Sequence, residues 1–172
     1  MQQTGFARLR LALAPAAERR YVGQTAVETA RFNGYQLVFD PLATAAAYAR
    51  IETPGPEECA CWFCRNWVAA RDEVVRPEIR AWLQRFGIPS NGEIEVWEVP
   101  GISKRHAYGG WYMVVGHIDS KPEPPEREFD LQGWRLSFSA GPSYAVQAFA
   151  DLAVFEIHFF TDVGLFLDED LT

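Results

Sequence analysis

The chain has 172 residues, carries 16 Lys+Arg against 23 Asp+Glu for a formal net charge of −7, and is 48% hydrophobic with 12 Phe, 6 Trp and 6 Tyr. That aromatic load excludes a disordered chain and suffices for the core of one domain of the usual ~100–200 residues. The acidic balance opposes nucleic-acid phosphate and anionic lipid, and no apolar run approaches the ~20 residues of a membrane-spanning helix, so neither nucleic acid nor membrane is expected as a partner.

Charge is uneven along the chain. Residues 1–32 hold five Arg and two Glu, a balance of +3, which leaves −10 for the rest. Rich in Ala and Arg and without a strong β signal, residues 1–32 read as a basic, flexible N-terminal arm, and residues 33–172 as a single domain. The apolar stretch 11–17 is short for a secretory signal and contains Pro15. Three cysteines crowded into residues 59–64 do not make a disulfide framework, so a reducing, cytoplasmic location is expected.

Asn33-Gly34 is turn chemistry, and Tyr35, Leu37 and Phe39 then alternate as one face of a first strand, which Asp40-Pro41 breaks. Residues 45–53 (AAAYARIET) stay open between helix, favoured by the alanines, and strand, favoured by Tyr48, Ile51 and Thr53. Pro54-Gly55-Pro56 is a loop, and Glu57 and Glu58 sit where carboxylates favour a helix start. Trp67, Ala70 and Val74 place a helix over about 62–75. Pro77 opens a second over about 77–86, whose Ile79, Trp82, Leu83 and Phe86 form one buried stripe before Gly87 stops it.

After Asn91-Gly92 the period changes to two. IEVWEV (94–99), WYMVVGHI (111–118), WRLSFS (134–139) and VFEIHFFT (154–161) are strands. The second is apolar on both faces and therefore central; the third alternates Trp134, Leu136 and Phe138 against Arg135, Ser137 and Ser139. KPEPPERE (121–128) is a solvated connection. The pattern predicts an α+β domain with a mostly antiparallel sheet of about five strands, one face covered by the helical pair. It lacks the strand–helix alternation and glycine-rich loop of doubly wound nucleotide-binding folds.

Chemistry concentrates in the segment ECACWFCRNW, residues 58–67. Cys59, Cys61 and Cys64, at a loop running into a helix, suit one metal ion, zinc first; a tetrahedral site then needs a fourth ligand from His106, His117, His158 or a carboxylate. Alternatively Cys61 and Cys64 form a C-x-x-C unit at a helix start, where free backbone amides and the macrodipole lower a thiol's pKa. Thiol–disulfide exchange with Cys61 attacking and Cys64 resolving, or the reverse order, would follow, although the usual βαβ surroundings of such a unit are missing. The plainest reading makes the cysteines small hydrophobes packed among Trp62, Phe63 and Trp67, with Arg65 and Asn66 satisfying loop carbonyls.

ECACWFCRNW, followed by RPEIRAWLQRFGI and AYGGWYMVVG, resembles a family of uncharacterised bacterial proteins with a Cys-x-Cys-x-x-Cys-Arg-Asn-aromatic element, a Pro-Glu helix and a Tyr-Gly-Gly-aromatic strand. The likeness spans about residues 35–118 and extends to the closing FFTDVGLFLDED. It implies that Cys59, Cys61, Cys64, Arg65 and Asn66 act as one constellation and carries over no reaction, ligand or catalytic role.

Elsewhere, Tyr108-Gly109-Gly110-Trp111-Tyr112 offers Tyr108 and Trp111 as ligand-stacking rings, or else an aromatic-packed bend at a strand entry, the reading its glycines favour. Glu156 and His158 share a strand face without a nameable third partner, and His117 reads as semi-buried. Residues 151–172 hold six acids, Asp151, Glu156, Asp162, Asp168, Glu169 and Asp170, and no Lys or Arg, a solubility feature or a surface for a basic protein partner. The sequence thus points first to a cytoplasmic binding protein whose element at residues 59–66 is structural or metal-holding, with the question of enzyme activity left open. A thiol-dependent redox enzyme and an acidic inhibitor or immunity-type protein are the alternatives.

Overall fold

The computed structural model describes residues 27–99, 106–123 and 128–167. It is an α+β fold of seven strands and four helices, with a short 3-10 turn at Gln147–Phe149. Glu28–Phe32 (β1) and Tyr35–Phe39 (β2) form a hairpin, followed by helices Pro41–Tyr48 (α1), Gly55–Cys59 (α2), Trp62–Val74 (α3) and Pro77–Gln84 (α4). Glu95–Val99 (β3), His106–Ser120 (β4), Phe129–Leu131 (β5), Trp134–Ala140 (β6) and Val154–Val163 (β7) complete the sheet. Every pairing is antiparallel, in the order β1-β2-β4-β7-β6-β5, with β3 also on β4.

The sheet is larger than the five strands expected, and both additions are edge strands. β1 lies in the segment read as the arm, so the sheet begins before residue 33; residues 1–26 lie outside the described residues. Its pattern is mostly exposed, so no buried alternation advertises it. It is joined to β2 by the two-residue turn Asn33-Gly34, with φ of 45° and 82°, as primed hairpin turns require. β5 is only three residues long and meets β6 through Gln132-Gly133, with φ of 55° and 86°. A Gln-Gly dipeptide is a weak turn signal, which hides that hairpin in the sequence.

Asp40-Pro41 does more than end β2. The Asp40 carboxylate accepts from the amides of Leu42 (3.0 Å) and Ala43 (2.9 Å), and Pro41 takes the first helical position, so the pair opens α1 and settles residues 45–48 as helix. Helices α3 and α4 fall where the 3.6-residue period puts them; α4 ends at Gln84, and Gly87 follows in the turn after it with φ +78°.

β4 is the central strand, and one of its edges is shared. β3 pairs with residues 107–111 and β2 with residues 116–120, end to end along the same side, while β7 takes the other side. In the gap α1 supplies the missing acceptors: the Tyr48 hydroxyl accepts from Met113 N (2.9 Å) and Thr44 Oγ1 from Val115 N (3.0 Å). A side-chain ladder thus replaces a strand there, keeping two buried amides satisfied.

The helices cover one face of the sheet. Trp67 of α3 stacks on Phe159 at 5.3 Å and touches Tyr108 and Trp134, while Trp82 of α4 and Phe86 in the turn after it meet Phe32, Phe39 and Phe138. Gly109 and Gly110 lie inside β4 and do not bend its entry. A Cβ on Gly110 would meet the Phe159 ring at 2.3 Å and one on Gly109 the Trp97 ring at 2.7 Å, so rings from neighbouring strands occupy the space. Among the described residues no helix is long and apolar enough to cross a membrane.

Candidate metal centre

The three cysteines meet where α2 hands over to α3. Cys59 is the last residue of α2, Ala60 turns through the left-handed region at φ 50°, Cys61 caps α3, and Cys64 sits in that helix's first turn. This handover brings the three Sγ atoms within 4.8 Å of one another. All three thiols are free; Cys59 and Cys61 are exposed and Cys64 is buried. Within α3, Arg71 reaches back to Glu57 with Nη1–Oε1 at 2.6 Å and Nη2–Oε2 at 3.0 Å, which ties the short α2, and with it Cys59, to the longer helix.

The thiols differ electrically. Burial pushes the Cys61 thiol up, but the Cys64 amide, the two neighbouring thiols and the Phe63 amide together hold it below the ordinary range. Cys64 is driven up, first by burial and then by the thiols of Cys59 and Cys61. A cation amid the sulfurs would reverse that last effect, because thiolates that repel one another are all attracted to a shared metal.

No histidine joins the cluster among the described residues. His106 lies over the Trp62 ring at 5.7 Å and pairs through Nδ1 with Glu98. His117 is exposed, not semi-buried, and stands opposite Val38 where β4 meets the edge hairpin. His158 belongs to the polar group around Glu156, on the same face of the sheet as Trp111.

Of the residues expected to contact a ligand, two do internal work instead. Asn66 is fully buried: its Oδ1 accepts from Phe166 N (2.8 Å) and Leu167 N (3.2 Å), and its Nδ2 donates to Gly164 O and the Tyr108 hydroxyl, both at 3.2 Å. Tyr108 is equally buried, donates to Phe63 O (3.1 Å) and is pushed by burial up to about 12, so its hydroxyl stays neutral. Both side chains act as clamps that hold the closing segment and the start of α3 together. Arg65 is exposed on α3.

Trp111 does reach the site. Its ring lies between Tyr144 (6.4 Å, 26°) and His158 (6.5 Å, 24°), and its Nε1 donates to Glu95 Oε2 at 3.4 Å. With Cys59, Glu58, Glu95 and Tyr144 it lines an open groove of about 320 Å³.

The group at His158 was only half visible in the sequence. Register places Ser139 opposite Glu156, and the fully buried Glu156 accepts from Ser139 Oγ (2.9 Å), Ser143 Oγ (2.7 Å), the Ser143 amide and His158 Nε2 (2.9 Å). Burial raises its pKa, but these donors, the Ser143 amide foremost, bring it below the usual carboxylate range. Ser139 Oγ is also 3.0 Å from His158 Nε2. This is not an activated serine: Nε2 must carry a hydrogen to serve the carboxylate and so cannot take one from Ser139. The alternation of WRLSFS exposed the serine face, but only the strand register names its partner.

No family model, curated protein or solved structure matches the chain.

Proposed function

We propose that the protein is a metal-holding binding module in which Cys59, Cys61 and Cys64 take one thiophilic divalent cation, zinc first. The carrying observation is the convergence of three sulfurs within 4.8 Å. Tetrahedral zinc with Zn–S near 2.3 Å asks for sulfurs about 3.8 Å apart, a spacing that falls inside that limit. Cys59 lines the groove that also holds Trp111, Tyr144, Glu58 and Glu95, and a donor from a partner or ligand seated there would complete the site. Free thiols fit the reducing, cytoplasmic setting proposed from the sequence.

Metal analysis of protein purified in reductant without chelator tests this, followed by cobalt substitution, whose thiolate charge-transfer bands report sulfur ligation. One equivalent of metal, lost on Cys59→Ser or Cys64→Ser, is expected. Protein that stays metal-free when zinc is supplied, with no thiolate bands from cobalt, overturns the proposal.

A second reading, thiol–disulfide exchange, is favoured by the split between exposed Cys61 and buried Cys64 at the start of α3. Cys61 Sγ would attack a partner's disulfide and release one thiolate. Cys64 Sγ would then attack the mixed disulfide, so that the partner gains two electrons and the Cys61–Cys64 disulfide forms. Metal-free protein equilibrated in a glutathione buffer should then lose two hydrogens by intact mass; a chain that stays reduced under mildly oxidising poise rejects this reading.

An acidic face for a basic partner remains a proposal of its own, with one adjustment: Glu156 is buried and satisfied, so Asp151 and Asp162 are the described acids that closing stretch presents. Residues 168–172 lie outside the described residues.

A further inference from the structure

Structural zinc sites are closed, with four protein ligands around the ion, whereas sites that do chemistry keep a position free for an incoming ligand. The cysteine cluster has the second character. Cys59 and Cys61 are exposed and only Cys64 is buried. No His, Asp or Glu of the described residues places a ligand atom with the three sulfurs. Cys59 lines the open groove with Glu58, Glu95 and Tyr144, and that lining carries two carboxylates and no Lys, Arg or His.

The fold around the cluster is closed by other means. Arg71 holds Glu57 of α2 with two hydrogen bonds and lies 3.0 Å from the buried Glu93, which joins α2, α3 and the segment before β3. At Gly55 the start of α2 packs so closely on Ile94 that a Cβ would fall 1.9 Å from its carbonyl oxygen. Past Cys64, Asn66 and Trp67 are fully buried, the first with four hydrogen bonds and the second stacked on Phe159. Both flanks of the cysteines are thus anchored by contacts that involve no sulfur. An ion held there is not needed to shape the chain, in contrast to zinc fingers, which fold only with their metal.

We propose that the cation held by Cys59, Cys61 and Cys64 is exchangeable cargo, passed by thiolate substitution to a partner that presents cysteine among basic residues at the groove. This deepens the metal-holding reading and rests on it. The acceptor's thiolate adds at the fourth position and forms one metal–sulfur bond. A protein metal–sulfur bond then breaks, and the freed cysteine takes up a proton in place of the one the acceptor thiol gave up. The cation keeps its charge throughout, so neither oxidant nor reductant is required. Glu58 and Glu95 draw the cation and favour a basic acceptor over an acidic one.

For the test, the full chain is loaded with zinc in reductant and mixed with excess of the hexapeptide Lys-Cys-Gly-Gly-Cys-Lys or its counterpart Glu-Cys-Gly-Gly-Cys-Glu, and protein-bound zinc is followed by native mass spectrometry. Loss of zinc should speed up in proportion to peptide concentration and run faster to the basic peptide. Glu58→Gln, at an exposed side chain, should narrow the gap between the two peptides about threefold, as removal of one surface charge pair does, which separates the groove's charge from the peptides' own thiol reactivity. Chelated protein should keep a dispersed amide spectrum and a cooperative urea transition. Release at a rate independent of peptide, a gap that Glu58→Gln leaves unchanged, or a chain that unfolds on chelation would overturn the exchange proposal while leaving zinc binding in place. A chain that takes up no zinc at all would overturn the metal-holding reading, and this proposal with it.

Discussion

Two buried glutamates respond to pH with opposite signs. Glu156 has its folded-state pKa depressed, so it contributes stability above the unfolded carboxylate range that is lost as pH falls through the folded value. Glu93 has its pKa raised, by burial first and despite Arg71, so its contribution is fully present below about pH 4.3 and is lost as pH rises through the folded value. Urea melts across pH should therefore show Glu156→Gln flattening the acid limb of the stability profile, and Glu93→Gln removing a loss on the opposite side. Equal slopes in both variants would sink this assignment. At Asn66 the expectation is mechanical: Asn66→Ala strips four hydrogen bonds from a buried site and should cost on the order of 3 kcal/mol by denaturant melts. Amide exchange should accelerate at Phe166 and Leu167 with metal uptake retained. Asn66 stood out in the sequence because it follows the cysteines, yet its partners lie 42 to 101 residues away, a distance that local pattern does not report.

Elements were legible in proportion to how much of their surface they bury. α3 and α4 show a 3.6-residue stripe, β4 a two-sided apolar run and β6 a clean alternation, because each packs against the core over most of these stretches. β1 and β5 lean on one neighbour each and leave no comparable trace, and Asp40-Pro41, read as the end of β2, is also the start of α1. Gly87 carries a strong expectation at this scale. With φ +78° and Pro41 O where a Cβ would stand, Gly87→Ala should cost well over the roughly 1 kcal/mol of an ordinary left-handed glycine, measured as a fall in the unfolding midpoint. A neutral result would mean that α1 and α4 do not approach as described.

At the level of the whole molecule the fold class followed from period and order alone, whereas the sites did not, because each is assembled across elements. The sulfurs needed the handover from α2 to α3, and the polar patch at Glu93 needed Glu57, Arg71 and Tyr112 from α2, α3 and β4. Metal should therefore stabilise the folded chain as a whole. Free zinc at a hundredfold excess over its dissociation constant adds about 2.7 kcal/mol to a protein that binds it only when folded. Thermal melts with zinc and with chelator should separate accordingly, and Cys61→Ser should bring the two curves together.

The divided edge of β4 offers a built-in reporter. The amides of Met113 and Val115 sit mid-strand yet are protected by side-chain oxygens of a helix, while flanking residues are held by strands. Their exchange with solvent therefore clocks the lifting of α1 and not the parting of the sheet. Tyr48→Phe should speed exchange at Met113 while leaving Val115 and the β4–β7 ladder slow, giving α1 its own observable inside an otherwise closed structure.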